Sequence, residues 1–150
     1  MSYHHILVPV DGSNTSIDAV KKAAQIAKAF NSQLTLISLV VEDPFTDSDF
    51  YASSVIMHEY FVLAKKNAQE ALLDAQKAAA EAGVQAQVEI IKGNVDAKVI
   101  AETAVNHKAD LIVMGSHGRK GIQKMLLGSF AQDVLANTQL PVLIVKAKEA

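Results

Sequence analysis

The sequence predicts an α/β protein: an open parallel sheet with helices on both faces. Two observations carry this. Short apolar runs of strand length alternate with longer stretches in which apolar residues recur at helical spacing. No Pro-, Gly- or Ser-rich linker divides the 150 residues, so a single domain over 1–150 is expected. Strands joined through helices run parallel, and right-handed crossovers leave few topologies.

His4 to Val10 reads as the first strand, with Ile6, Leu7 and Val8 in one apolar run. Ile17, Val20, Ala24 and Ala27 then recur at helical spacing, which predicts a helix from Asn14 to Asn31 capped by Ser13 or Asn14. Leu34 to Val41 is the second strand. Residues 42–53 carry four acids and a proline and read as a loop. From Ser54 to Ala82 the pattern is helical and rich in alanine, with Gly83 placed to end it. Val84, Ala86, Val88 and Ile90 alternate with Gln85, Gln87 and Glu89, giving a third strand with one polar face. Val95, Val99 and Ala104 mark a third helix, and Leu111 to Met114 a fourth strand. Ser129 to Asn137 is a short helix, and Pro141 to Val145 the fifth strand. Val142, Leu143, Ile144 and Val145 are all apolar, so that strand is either central or an edge paired with a second copy.

Half the residues are apolar, which excludes a disordered chain. Fourteen Lys and Arg against sixteen Asp and Glu leave a net charge of −2, with no general pull towards nucleic acid or acidic membranes. The absence of cysteine removes disulfides, thiolate catalysis, zinc-thiolate sites and iron–sulfur clusters together. No apolar run approaches the roughly 18 residues that span a bilayer. Met1-Ser2-Tyr3-His4-His5 lacks a basic region followed by an apolar core, so no signal peptide is read and the expected location is the cytoplasm.

Chemistry concentrates after the fourth strand. Gly115, Gly118, Gly121 and Gly128 fall within fourteen residues and lead into the last helix. Glycines let backbone N–H groups approach a ligand closely. Ser129-Phe130-Ala131-Gln132 fits the capping-box pattern, which would put free N–H groups and the positive end of the helix dipole at Gly128 and Ser129. Such a helix start suits phosphate, and Arg119, Lys120 and Lys124 add positive charge. The alternative is a surface loop whose glycines only turn and whose serine only caps. In open parallel sheets ligands sit at the carboxyl ends of strands where the order reverses. Asp11, after strand one, would face the same crevice if strands one and four are neighbours. Its other role is to help cap the first helix. Neither the P-loop pattern nor G-x-G-x-x-G is present.

Gly115-Ser116-His117-Gly118, then nine residues, then Gly128-Ser129, resembles the universal stress protein family, whose nucleotide-binding members carry G-x2-G-x9-G-[ST]. Ile6-Leu7-Val8-Pro9-Val10-Asp11-Gly12-Ser13, the stretch from Ala109 to Gly115, and Leu140-Pro141-Val142-Leu143-Ile144-Val145 are similar to the same family. The resemblance covers essentially the whole chain. It implies a five-stranded sheet in the order 3-2-1-4-5, with strand five at an edge and pairing with its mate in a homodimer. It implies ATP, with or without Mg²⁺. Pro9, Val10 and Asp11 would lie by the adenosine, and the backbone at Val40 or Val41 by the adenine. Gly115 would lie near the ribose, and Gly118, Gly128, Ser129 and Phe130 would hold the phosphates; Met114, His117 and Arg119, in the same stretch of chain, are counted with the expected site, His117 as a loop residue able to touch a nucleotide and Arg119 as added positive charge. Phe130 replaces the small branched residue usual there, a change that preserves the backbone N–H.

Other candidates read more plainly. His4 and His5 point to opposite faces of a strand and cannot share a metal. His58, His107 and His117 lack metal-ligand spacing, and His117 reads as a solvated loop residue. Asp43, Asp47 and Asp49 lack the pattern of a calcium loop and its terminal Glu. Tyr51, Tyr60 and Phe61 pack the second helix or cover the crevice. The leading expectation is a regulatory ATP-binding stress protein. A non-nucleotide interaction module of the same fold is the first rival, favoured by Phe130. A slow ATPase is the second, with Asp11 as the one obvious carboxylate.

Overall fold

The computed structural model describes residues 2–41, 52–117 and 127–146. Among these, β1 (His5–Pro9), α1 (Asn14–Phe30), β2 (Gln33–Val41), α2 (Ala52–Glu81), β3 (Gln87–Gly93), α3 (Ala97–Asn106), β4 (Leu111–Gly115), α4 (Ser129–Asn137) and β5 (Val142–Val145) follow one another along the chain. The strands form one parallel sheet in the order β3-β2-β1-β4-β5. The acidic segment with Asp43, Asp47, Asp49 and Tyr51, and the stretch with Gly118, Arg119, Lys120, Gly121 and Lys124, lie outside the described residues.

Side chains alternate across the sheet, so each central strand feeds two cores. Ile6, Val8, Leu34, Leu36 and Val113 pack beneath α1 and α2, against Val20, Ala24, Leu72 and Ala75. Leu7, Ile37, Ile112 and Met114 pack on the opposite face against Ile100, Ala104, Ala131 and Val134 of α3 and α4. This explains why β1 and β4 read as continuous apolar runs. The edges differ. All four residues of β5 are half-buried. β3 begins at Gln87, later than the alternation from Val84 predicts, and Val88 is 40% exposed because β2 alone flanks this edge strand.

Helix ends are set by local chemistry. Ser13 caps α1, its Oγ accepting from the Ser16 N–H at 3.1 Å. Asp96 caps α3 through the Val99 N–H at 3.0 Å. Gly83, at φ 88°, closes α2: its N–H donates to the Ala80 carbonyl, and the Val84 N–H reaches back to Ala79.

At the amino ends of the strands, the Asp110 carboxylate accepts from the backbone N–H groups of His4 (2.8 Å) and His5 (3.0 Å). The Asp110 N–H donates to the His5 carbonyl at 2.9 Å. Burial raises the Asp110 carboxyl, but these backbone donors outweigh it and hold its pKa below the ordinary value. His5 Nε2 meets Thr35 Oγ1 at 2.8 Å, and His107 pairs with Glu89 at 2.7 Å. These contacts tie β1 to β2 and to the start of β4, and β3 to the end of α3. Among the described residues no helix is long and apolar enough to cross a membrane.

Candidate functional site

A cavity of about 740 Å³ opens at the carboxyl ends of β1, β2 and β4. Because β1 and β4 are neighbours while their chains leave towards opposite faces, the loop after each borders the same crevice. Pro9, Val10, Asp11, Met114, Gly115, His117, Gly128, Ser129 and Phe130, all expected from the sequence, line it. Val41 does not: it is 46% exposed at the end of β2, and Ile37, Ser38 and Leu39 supply the β2 wall instead. Gly118 and Arg119 fall outside the described residues.

After β1 the chain turns at Gly12, whose φ of 84° suits glycine. The turn brings the Ser13 N–H to Asp11 Oδ1 at 2.9 Å. Asp11 therefore helps shape the entry to α1, while its exposed carboxylate remains at the cavity wall. It is the only carboxylate lining the cavity among the described residues.

Among the described residues, the two glycines that border the cavity do packing work. A Cβ on Gly115 would stand 2.5 Å from Thr15 Cγ2, so the bare backbone lets the first turn of α1 close onto β4. A Cβ on Gly128 would stand 2.8 Å from the Ser116 carbonyl oxygen. That carbonyl accepts the Gly128 N–H at 2.8 Å, so the start of α4 is tied to the end of β4.

This corrects the capping-box expectation by one residue. Gly128, not Ser129, is the N-cap of α4, and no side chain caps the helix. Gln132 reaches back with its side-chain amide, as the pattern suggested, but to the Leu127 carbonyl at 2.9 Å. The physical reason is the Gly128–Ser116 bond, which fixes where the helix begins. The N–H of Gly128 is thus taken. The amides of Ser129, Phe130 and Ala131 precede the first helical bond, from Gln132 N–H to the Gly128 carbonyl at 3.0 Å, and have no partner within the helix. Phe130 is 37% exposed at the cavity wall.

His117 is a second correction: it is 8% exposed rather than solvated. Its Nδ1 lies 3.1 Å from Ser116 Oγ, while its Nε2 is buried without a hydrogen-bond partner.

The far wall went unnoticed in the sequence. Ala64, Asn67, Ala68 and Ala71 of α2 face Ser16 and Ser38 across the cavity. The signal was there in the spacing of Ala64, Ala68 and Ala71, which puts three small side chains on one helix face. Ser38, 5% exposed, lies in the β2 wall. Tyr60 and Leu63 extend this wall outward, so Tyr60 borders the crevice as expected. Its ring meets Phe61 edge-on at 5.4 Å. Among the described residues no group of three His, Asp or Glu is placed to hold a metal ion.

Comparison with known proteins agrees with this architecture. A universal stress protein of Methanocaldococcus jannaschii is 42% identical over 144 residues, covering 96% of this chain and 82% of the relative. The solved universal stress protein UspA of Lactobacillus plantarum superposes with a TM-score of 0.81 at 25% identity, covering 97% of this chain and 99% of its own. A universal stress protein solved in complex with cAMP superposes at 0.74 with 30% identity, over 99% of this chain and 100% of its own. The universal stress protein family model matches residues 2–146. With its sheet order, glycine spacing and sequence in agreement, the chain belongs to the universal stress protein family.

Proposed function

We propose that this protein binds ATP in the crevice at the ends of β1 and β4 and acts as a regulatory nucleotide-binding homodimer in the cytoplasm. The observation that carries the reading is the cavity itself, with the open amides of α4 at one end and a buried, hydroxyl-bearing wall at the other. An anion suits the helix start, and the apolar and small residues between suit a flat base and a sugar. Mg²⁺ would arrive with the phosphates, which supply most of its ligands, and Asp11 is the cavity carboxylate able to join them. Asp11 already accepts from Ser13, and among the described residues no second carboxylate lines the cavity. Nucleotide occupancy would alter the acidic segment or the dimer and so a protein partner.

The test is calorimetric titration of nucleotide-free protein with ATP, with and without Mg²⁺, against AMP, GTP and cAMP. ATP is expected to bind more tightly than AMP and GTP. The cAMP arm is included because the relative solved with cAMP is 30% identical; tighter cAMP binding would replace the ATP reading with a cyclic-nucleotide one. No heat with any nucleotide would leave an interaction module of the same fold.

A further inference from the structure

Helix α2 has two faces with different duties. Ala71, Leu72, Ala75, Ala78 and Ala79 are buried in the core beneath it. On the opposite side of the helix lie Glu59, Leu63, Lys66, Glu70, Leu73 and Lys77, and all six are exposed. They are spaced alternately by four and three residues, the repeat that keeps one stripe of a helix turned towards a partner helix. A lone exposed leucine needs no explanation. Here Leu63 is 56% and Leu73 is 63% exposed, and both stand in this one stripe. Among the described residues no ion pair is made by Glu59, Lys66, Glu70 or Lys77.

The stripe is complementary to its own reverse. About Ala68, Leu63 mirrors Leu73, Glu59 mirrors Lys77, and Lys66 mirrors Glu70. Two copies of α2 laid antiparallel across a two-fold axis at Ala68 therefore set leucine on leucine and each charge on its opposite. A parallel pair in register would set every charge on itself. Sliding the antiparallel pair by one heptad sets Glu59 on Glu70, or Lys66 on Lys77. The helix packs on β2 and β3, away from the β5 edge, so the stripe stays open in a dimer formed through β5.

We propose that α2 is a self-recognition surface: its outer stripe pairs antiparallel with the same stripe of a second copy, in the register centred on Ala68, and joins β5 dimers into larger assemblies. The proposal is independent of nucleotide binding. From Glu59 to Lys77 the helix runs about 27 Å. A pair of helices in contact over that length lies below the roughly 1,200 Å² of a stable interface. The association is accordingly weak, is met at high protein concentration, and is weakened further by salt because exposed charges set it.

The experiment is sedimentation over a concentration series for the wild type, Lys66→Glu and Glu70→Lys, with the two variants run alone and as an equal mixture. Wild-type mass is expected to grow with concentration, and high salt to suppress the growth. Each variant alone sets like charges at both Lys66–Glu70 contacts and should associate about tenfold more weakly, or worse. In the mixture, two negative charges on one chain meet two positive charges on the other, and the growth should return. Neither a folding defect nor a changed β5 edge produces that recovery. The register is read by cross-linking, since the chain has no cysteine. Gln69→Cys lies beside the axis and should be joined to its own mate by a short bismaleimide. Lys77→Cys, about 27 Å from its mate along the helix, should not be. Leu63 also borders the mouth of the cavity and is left unchanged. Wild-type mass that stays constant to the highest concentration, a mixture that associates no better than its components, or cross-linking of Lys77→Cys in preference to Gln69→Cys overturns the proposal. None of these outcomes touches the nucleotide reading.

Discussion

A single hydrogen atom in place of a methyl group decides two contacts on which the crevice depends. Gly115 leaves room for Thr15, and Gly128 leaves room for the Ser116 carbonyl. The two should respond differently to substitution. Gly115→Ala puts a Cβ 2.5 Å from a side-chain methyl, so the cost is overpacking, about 1–3 kcal/mol. Thr15→Ala removes that methyl and should recover part of the loss, a coupling that urea unfolding of the double-mutant cycle would measure. Gly128→Val presses on backbone, which has no rotamer to escape into, and should abolish nucleotide binding in calorimetry even where the protein remains folded. Unchanged ATP affinity in Gly128→Val would mean that the start of α4 is not part of the site. The sequence displayed these glycines through their spacing but not their duties. A motif suggests that backbone approaches something; only the fold shows that the something is Thr15 or Ser116 as well as a ligand.

Helices and strands were largely readable because their causes are local. Apolar runs marked β1, β2, β4 and β5, and Ser13 marked the start of α1. Replacing that cap in Ser13→Ala should cost about 1 kcal/mol, read as a lower urea midpoint at unchanged slope. Where tertiary contacts set a boundary, the sequence misplaced it: Gly128 rather than Ser129 caps α4 because the cap is held by β4. His117 was misread for the same reason, since nothing in Gly-Ser-His-Gly reveals that the imidazole is enclosed. Asp110 shows a further consequence at this scale. Its carboxyl is lowered in the folded protein by the His5 and His4 donors, so its contribution is fully present above the unfolded carboxylate value, about 3.9. It is lost as pH falls through the lower folded value. Asp110→Ala should therefore lower stability at neutral pH and flatten the acid limb, seen as a smaller fall in midpoint between pH 5 and 2 in thermal melts.

At the scale of the molecule, the sheet order came from resemblance, and the structure agrees with it. The α2 wall of the cavity came from neither, because four residues of one helix meet Ser38 only after the sheet has formed. The proposed dimer has a testable signature in β5. The carbonyls of Pro141 and Val145 accept from Ile112 of β4 and from Ser116 just after it, so the N–H groups of Val142 and Ile144 face away from the sheet. Ile144→Pro removes one outward donor while sparing the bonds to β4. Sedimentation should show a dimer for the wild type and a monomer for the variant; a dimer that survives would place the interface elsewhere.

The sheet order also sets a schedule. β1 ends up enclosed between β2 and β4, with Ile6, Leu7 and Val8 fully buried. During synthesis β2 emerges soon after it, but β4 comes only after α2, β3 and α3. A chain leaving the ribosome at about 5–20 residues per second must wait on the order of seconds between the two partners. Through that interval the innermost strand of the finished protein is the outermost strand of the nascent one, with a bare apolar edge. A chaperone that guards this chain has most to protect while β4 is still being made, and a pause in translation just before Leu111 should raise the aggregated fraction more than a pause after Val145.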